Sequence, residues 1–340
     1  MRAIGYQQQG SLDRDQALVD IELPVPEPTG RDLLIQVKAI SVNPVDTKVR
    51  GGVAPKNGDW KVIGWDAAGV VHAISSDVTL FKPGDEVFYA GSITRSGTNA
   101  EYQLVDERIV GIKPRTLDWA AAAALPLTAI TAWEMLFDRL DVRKPVPGAA
   151  SVILIIGGAG GVGSIATQLA RQLTDLTVIS TASRPETTAW VTEMGAHHVI
   201  DHSKPLAAQV AALGMGAPAF VFSTTHTNSY ASAIADLIAP QGRVGLIDEF
   251  ENANVFKNKS VSIHWELMFT RARFGTADIA EQGKLLNEVS RLVDQGVLRT
   301  TMTERFSPID ATNLKRVHAM IEGGKVRGKL VLEGFNPESY

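Results

Sequence analysis

The stretch Ser151-Val152-Ile153-Leu154-Ile155-Ile156-Gly157-Gly158-Ala159-Gly160-Gly161-Val162-Gly163-Ser164, running on to Arg184, decides the fold. Its apolar run Val152 to Ile156 is rich in β-branched residues and bounded by glycine, which predicts a strand buried on both faces of a parallel sheet. The glycines that follow contain the dinucleotide fingerprint in the frame Gly158, Gly160, Gly163. Gly158 makes the tight turn, Gly160 lets backbone approach a pyrophosphate, and Gly163 lets the helix pack closely on the strand. From Ser164 to Leu173 the apolar positions Ile165, Leu169 and Leu173 recur at helical spacing. That helix starts at the glycine loop, so its N–H groups and dipole favour a phosphate there. A second β-rich run, Thr177 to Thr181, closes the unit. A glycine fingerprint alone is weak evidence, but strand, glycine turn, helix and strand in this order are specific.

The end of the second strand selects the nucleotide. About 20 residues past the fingerprint, an NAD site places an acid on the ribose 2′-hydroxyl, whereas an NADP site places arginine on the 2′-phosphate. This chain has Ala182-Ser183-Arg184 there and no acid before Glu186. A hydroxyl and a guanidinium both donate to phosphate oxygens, so the expected cofactor is NADPH.

Working outward, a chain of 340 residues, 45% hydrophobic and 21% charged, is expected to fold as two globular domains. A net charge of −4 and a pI near 6.0 give no electrostatic reason to expect nucleic acid or an anionic membrane as a partner. No apolar run reads as a bilayer span, and Met1 to Tyr6 leads directly into strand-like sequence, so a cytoplasmic location is expected. Cysteine is absent. Disulfides, thiolate catalysis and cysteine-ligated zinc are thereby excluded.

Residues 1 to about 125 read as β-rich, with strands at Leu33 to Val42, Ala67 to Ile74 and Glu86 to Ala90, the last after the turn Lys82-Pro83-Gly84-Asp85. Pro24, Pro26 and Pro28 mark an extended connection. Beyond Thr181 the strand and helix alternation continues. Strands are expected at His197 to Asp201, Ala219 to Ser223, Gly242 to Ile247 and Val261 to Trp265, giving six in a doubly wound α/β sheet. After about residue 268 two amphipathic helices, Leu285 to Gln295 and Ala311 to Ile321, precede a last strand, Gly328 to Leu332, expected to return to the first domain. The division is therefore 1–126, 127–267 and 268–340, the first and last parts forming one discontinuous domain.

Five motifs, in order, resemble the medium-chain dehydrogenase/reductase superfamily and its zinc-free quinone oxidoreductase-like branch. They are Val42-Asn43-Pro44-Val45-Asp46, Gly64-Trp65-Asp66-Ala67-Ala68-Gly69-Val70-Val71, Lys82-Pro83-Gly84-Asp85-Glu86-Val87, the loop Gly157 to Gly163, and Gly328-Lys329-Leu330-Val331-Leu332. The resemblance implies a Rossmann doubly wound parallel sheet inserted into a chaperonin-10-like (GroES-like) catalytic domain, a cleft between them, and a homodimer. Zinc-dependent members carry cysteine, histidine and a third ligand where this chain has Asn43, Trp65 and Leu127, and a four-cysteine lobe that is missing here. None of these side chains supplies a thiolate or imidazole, so no metal is expected.

Without a Lewis acid an alkoxide is poorly stabilised, whereas reduction of a quinone or α,β-unsaturated carbonyl needs only donors on a developing oxyanion. By resemblance the catalytic candidates are Asn43, Asp46 and Tyr89, with Thr131 also lining the cleft on the cofactor side. Asn43 would donate to the carbonyl oxygen and Tyr89 would donate a proton, unless solvent does. Cofactor candidates are Gly160, Gly161 and Val162 for the pyrophosphate and Ser183 with Arg184 for the 2′-phosphate. His202 stands where relatives have a tyrosine near the adenosine ribose. Thr225 sits in Thr224-Thr225-His226, which departs from the usual Asp-x-x-Gly, and Leu246 and Ile247 end the fifth strand. Met268 and Phe269 are expected beside the nicotinamide or the substrate pocket, or in plain core or a dimer contact. The alternatives are a zinc-type alcohol dehydrogenase-like enzyme and a zeta-crystallin-like nucleotide-binding protein with little turnover.

Overall fold

The computed structural model describes residues 1–56 and 58–335. The chain divides into two compact units: Met1–Leu127 together with the chain from Phe269 onward, and Thr128–Met268.

The second unit is built on six strands: β1 (Ala150–Ile156), β2 (Thr177–Thr181), β3 (His198–Ile200), β4 (Pro218–Ser223), β5 (Arg243–Leu246) and β6 (Ser262–Trp265). Their spatial order is β3-β2-β1-β4-β5-β6, and every pair is parallel. This is the doubly wound order whose reversal point lies between β1 and β4. The run Val152 to Ile156 is buried throughout, as a strand covered on both faces must be. Two helices matter for the site: α1 (Gly161–Leu173), which begins three residues earlier than its apolar spacing suggests, and α2 (Pro185–Glu193). The early start reflects Gly160 as the capping residue, extended at ψ 175°, so the glycine loop runs straight into the helix.

A π-helical turn, Glu134–Arg139, closes by an i to i−5 hydrogen bond from Leu140 N–H to the Met135 carbonyl at 2.8 Å. It places the Met135 sulfur 2.3 Å from where a side chain at Gly245 would begin, which is why β5 carries glycine there. Glu266, after β6, accepts from Arg139 Nε at 2.8 Å, and the Glu134 carboxyl helps to raise its pKa.

The first unit contains a three-stranded sheet, ordered Val19–Glu22, Arg2–Tyr6, Lys61–Val62. Its larger sheet of seven strands runs Met302–Phe306, Lys329–Glu333, Asp32–Ser41, Asp66–Ile74, Glu86–Tyr89, Val110–Ile112, with Tyr102–Asp106 also on Asp32–Ser41. The last strand of the chain thus pairs antiparallel with one of the first, Val331 opposite Ser41 and Leu332 opposite Ile40. Met302–Phe306 was not evident from sequence, because Met-Thr-Glu-Arg-Phe gives no apolar alternation. One correction concerns membrane spans. The helical stretch Trp119–Arg139 is long and apolar enough to cross a bilayer by length and composition, yet 89% of that window is buried inside the protein.

Candidate active site

In the second unit the glycines of the loop separate into two kinds. A side chain at Gly157, which has φ +80°, would start 2.4 Å from Thr224 Oγ1; at Gly158, 2.8 Å from Ser180 Cβ; at Gly163, 2.2 Å from the Gly157 carbonyl oxygen. Packing therefore requires glycine at these three positions. Gly160 differs, since a side chain there would meet only the Gly157 oxygen, at 3.4 Å, an ordinary contact distance. Gly160 thus has room for a Cβ, next to the half-exposed Gly161 and Val162 at the first turn of α1.

The other nucleotide candidates end parallel strands on the same edge of this sheet. Ser183 is exposed and Arg184 half-buried just after β2, and Arg184 Nε pairs with Glu186 Oε1 at 2.9 Å. His202 follows β3, which is tied to the end of β2 by the Ala182 N–H on the Ile200 carbonyl at 3.0 Å. The His202 Nδ1 atom is buried without a hydrogen-bond partner. Thr225 comes to the glycine loop, with its Cγ2 3.1 Å from a side chain built at Gly157. Thr224 holds this turn by donating its N–H and its hydroxyl to the Ile156 carbonyl, at 3.1 and 2.8 Å. His226 takes the left-handed conformation, φ 52°, so a turn where glycine is usual is made by a histidine. Leu246 is buried and Ile247 half-buried at the end of β5. Thr131 is buried in the helix Pro126–Trp133.

In the first unit Asn43 and Asp46 join a buried polar network with two residues not among the sequence candidates, Asp66 and Lys329. Asn43 precedes the helix Pro44–Gly52 and its N–H donates to Asp46 Oδ2 at 2.6 Å. Its side-chain Nδ2 donates to Asp66 Oδ2 at 2.8 Å and lies 3.5 Å from the Ser41 carbonyl. Lys329 Nζ donates to Asn43 Oδ1 at 2.5 Å, Asp66 Oδ2 at 2.9 Å and the Val42 carbonyl at 3.2 Å. The other Asp66 oxygen accepts the Leu127 N–H at 2.7 Å. Lys329 and Asp66 are 3% and 0% exposed, so these charges are compensated inside the protein by each other and by these polar groups.

Asp46 Oδ1 has no partner. Burial raises the Asp46 pKa to about 7, against hydrogen bonding from Asn43 and the Lys329 charge, with Asp66 adding to the rise. Tyr89 lies opposite Ala67, next along the strand from Asp66. Its phenol is fully buried without a hydrogen-bond partner, and burial pushes its pKa well above the ordinary 10.0. Trp65 Nε1 donates to the Ser92 carbonyl at 3.2 Å, and the Trp65 ring meets Phe269 edge-on at 5.7 Å. Phe269 is thus core in this unit, and Met268 is also buried. The signal for the two missed residues was available: Asp66 and Lys329 each open a largely apolar strand, where a buried charge needs a partner.

The positions corresponding to a zinc-ligand triad therefore carry an amide already bonded to a carboxylate and an ammonium, an indole, and a leucine. Among the described residues no group of three or more histidine, cysteine, aspartate or glutamate side chains is placed to hold a metal. The donor set does not fit zinc.

A doubly wound sheet with a glycine loop after its first strand, in a chain that also forms a β-rich unit holding a buried polar cluster, defines a dehydrogenase-type architecture. Residues 29–115 match the alcohol dehydrogenase GroES-like domain and residues 194–332 the zinc-binding dehydrogenase family. A zinc-type alcohol dehydrogenase-like protein of Staphylococcus epidermidis is 38% identical over 98% of this chain and 99% of its own. A crystal structure from Rhizobium etli, provisionally described as a zinc-dependent alcohol dehydrogenase, is 69% identical with a TM-score of 0.98, covering 99% of both chains. The quinone oxidoreductase of Coxiella burnetii is 27% identical with a TM-score of 0.79, covering 98% of this chain and 99% of its own. The chain belongs to the medium-chain dehydrogenase/reductase superfamily of oxidoreductases.

Proposed function

We propose that this protein is an NADPH-dependent, zinc-independent reductase of quinones or α,β-unsaturated carbonyls. The observation that carries the proposal is the Asn43–Asp66–Lys329 network at the place of the zinc ligands. With a saturated ammonium and no ligand set there, nothing offers the Lewis acid that alcohol oxidation uses to stabilise an alkoxide. A bound nicotinamide supplies hydride to an electrophilic carbon of the substrate. The chain's task is then to bind the nucleotide, orient the carbonyl and meet the negative charge that arrives on its oxygen.

Tyr89 suits the last role. Its phenol stays protonated through the neutral range, it acts as a donor and not as a base, and a buried donor without a partner costs about 1–3 kcal/mol unless a ligand or water satisfies it. Asn43 retains one amide N–H at the long limit of a hydrogen bond. The space beside Gly160, together with Ser183 and Arg184, supports binding of a 2′-phosphorylated nucleotide. The same reading includes a cytoplasmic homodimer. Alcohol oxidation at zinc, which the relatives' descriptions name, is the competing reading, and the donor set argues against it.

The test is one experiment with two arms. The purified protein is expected to contain substoichiometric zinc, and a chelator should leave its NADPH-dependent reduction of quinones and enones, followed at 340 nm, unchanged. Simple alcohols should be poor substrates. One zinc per chain, with alcohol oxidation abolished by chelation, would overturn the proposal.

A further inference from the structure

We infer that Glu186 sets nucleotide selectivity, by holding the Arg184 guanidinium when no 2′-phosphate is present and by accepting from a 2′-hydroxyl when NADH binds. This rests on the reading of β2 and the glycine loop as a nucleotide site.

The sequence rule places either an acid or an arginine after the second strand, but the structure holds both within one turn. Arg184 Nε lies 2.9 Å from Glu186 Oε1, with the two side chains 38% and 55% exposed. The backbone beneath them is fixed. Arg184 N–H donates to Thr187 Oγ1 at 3.2 Å, and the Thr187 hydroxyl donates to the Arg184 carbonyl at 2.9 Å. Glu186 stands in the first turn of α2, where the helix dipole favours a carboxylate. The pair is thus a local device at the strand end and ties no distant elements together.

An ion pair this exposed is weak, whereas a phosphate monoester carries roughly 1.5 to 2 negative charges and several acceptor oxygens. NADPH can therefore take Arg184 from Glu186, at the cost of breaking the pair and of standing beside a carboxylate. NADH brings no such charge. Its ribose 2′-hydroxyl is a donor, and Glu186 is the first acid in the chain after β2. On this arrangement Arg184 favours NADPH, and Glu186 narrows that preference by working against NADPH and for NADH.

The experiment titrates the full chain with NADPH, NADH and 2′,5′-ADP, at low and high salt, by nucleotide or tryptophan fluorescence. It compares the wild type with Glu186→Gln and Arg184→Ala, each checked for an unchanged melting temperature. Glu186→Gln is expected to bind NADPH and 2′,5′-ADP about two- to five-fold more tightly and NADH about two- to five-fold more weakly, the equivalent of an exposed charge pair. The gain should shrink at high salt. If Arg184→Ala loses NADPH affinity while Glu186→Gln leaves NADPH unchanged or weaker, the inference falls and the nucleotide site stands. If Arg184→Ala binds NADPH as the wild type does, the nucleotide reading itself falls, and this inference with it.

Discussion

Single glycines in the loop carry separable burdens, and substitution should separate them. Gly160→Val should fold, because only the Gly157 oxygen at 3.4 Å faces a side chain there, and it should lose nucleotide binding in a fluorescence titration. Gly163→Ala should instead lower stability by about 3 kcal/mol, since its methyl would start 2.2 Å from a backbone oxygen that cannot move aside. Urea unfolding reads the second effect, and wild-type stability of Gly163→Ala would refute the packing argument. These glycines were legible in the sequence because their spacing is local and each serves a neighbour a few residues away. The Arg184–Glu186 pair is less so, since Glu186 lies past the selecting position in the sequence and its contact with the arginine depends on side-chain rotamers at the start of α2.

Elements joined by buried carboxyls should respond to pH. Glu266, beyond β6, has its pKa raised from the ordinary 4.5 to about 9, first by burial, then by the charge and hydrogen bond of Glu134 on the π-helical turn, with Arg139 opposing. The folded state keeps a proton that the unfolded chain releases, so this stabilisation is complete below about 4.5 and is lost as pH rises towards 9. Urea midpoints of the wild type should fall over that range. Glu266→Gln, a neutral isostere of the protonated acid, should flatten the fall above pH 7 and leave a slope below it, because Asp46 titrates between its ordinary 3.8 and about 7 in the same sense. An unaltered slope in Glu266→Gln would exclude a protonated Glu266. The six strands of the second unit could be read from periodicity within a residue or two, whereas α1 starts three residues early and the helix Leu206–Ala212 was not evident. The π-helical turn could not, because it answers to Met135 packing on Gly245, more than a hundred residues away.

Across the whole molecule, the feature least visible in the sequence is the bond between its ends, Lys329 with Asp66, 263 residues apart. Lys329→Met should cost about 3–5 kcal/mol by leaving a buried carboxylate uncompensated, and Lys329→Met with Asp66→Asn should recover much of it in the same urea measurement. Equal stability of the two would show the pair to be dispensable. Topology could be anticipated from the closing strand's sequence, but not its chemistry, since a lysine among apolar residues announces a partner without naming it. That closing strand also sets a schedule for the growing polypeptide. Residues 128–268 are complete while synthesis is still under way, and the six-stranded sheet can form at once. The unit begun by the first residues must wait for Lys329–Glu333 to pair with Asp32–Ser41. The portion made first therefore finishes last, and through the interval Asp66 and the edge of Asp32–Ser41 remain open to chaperones or to mispairing.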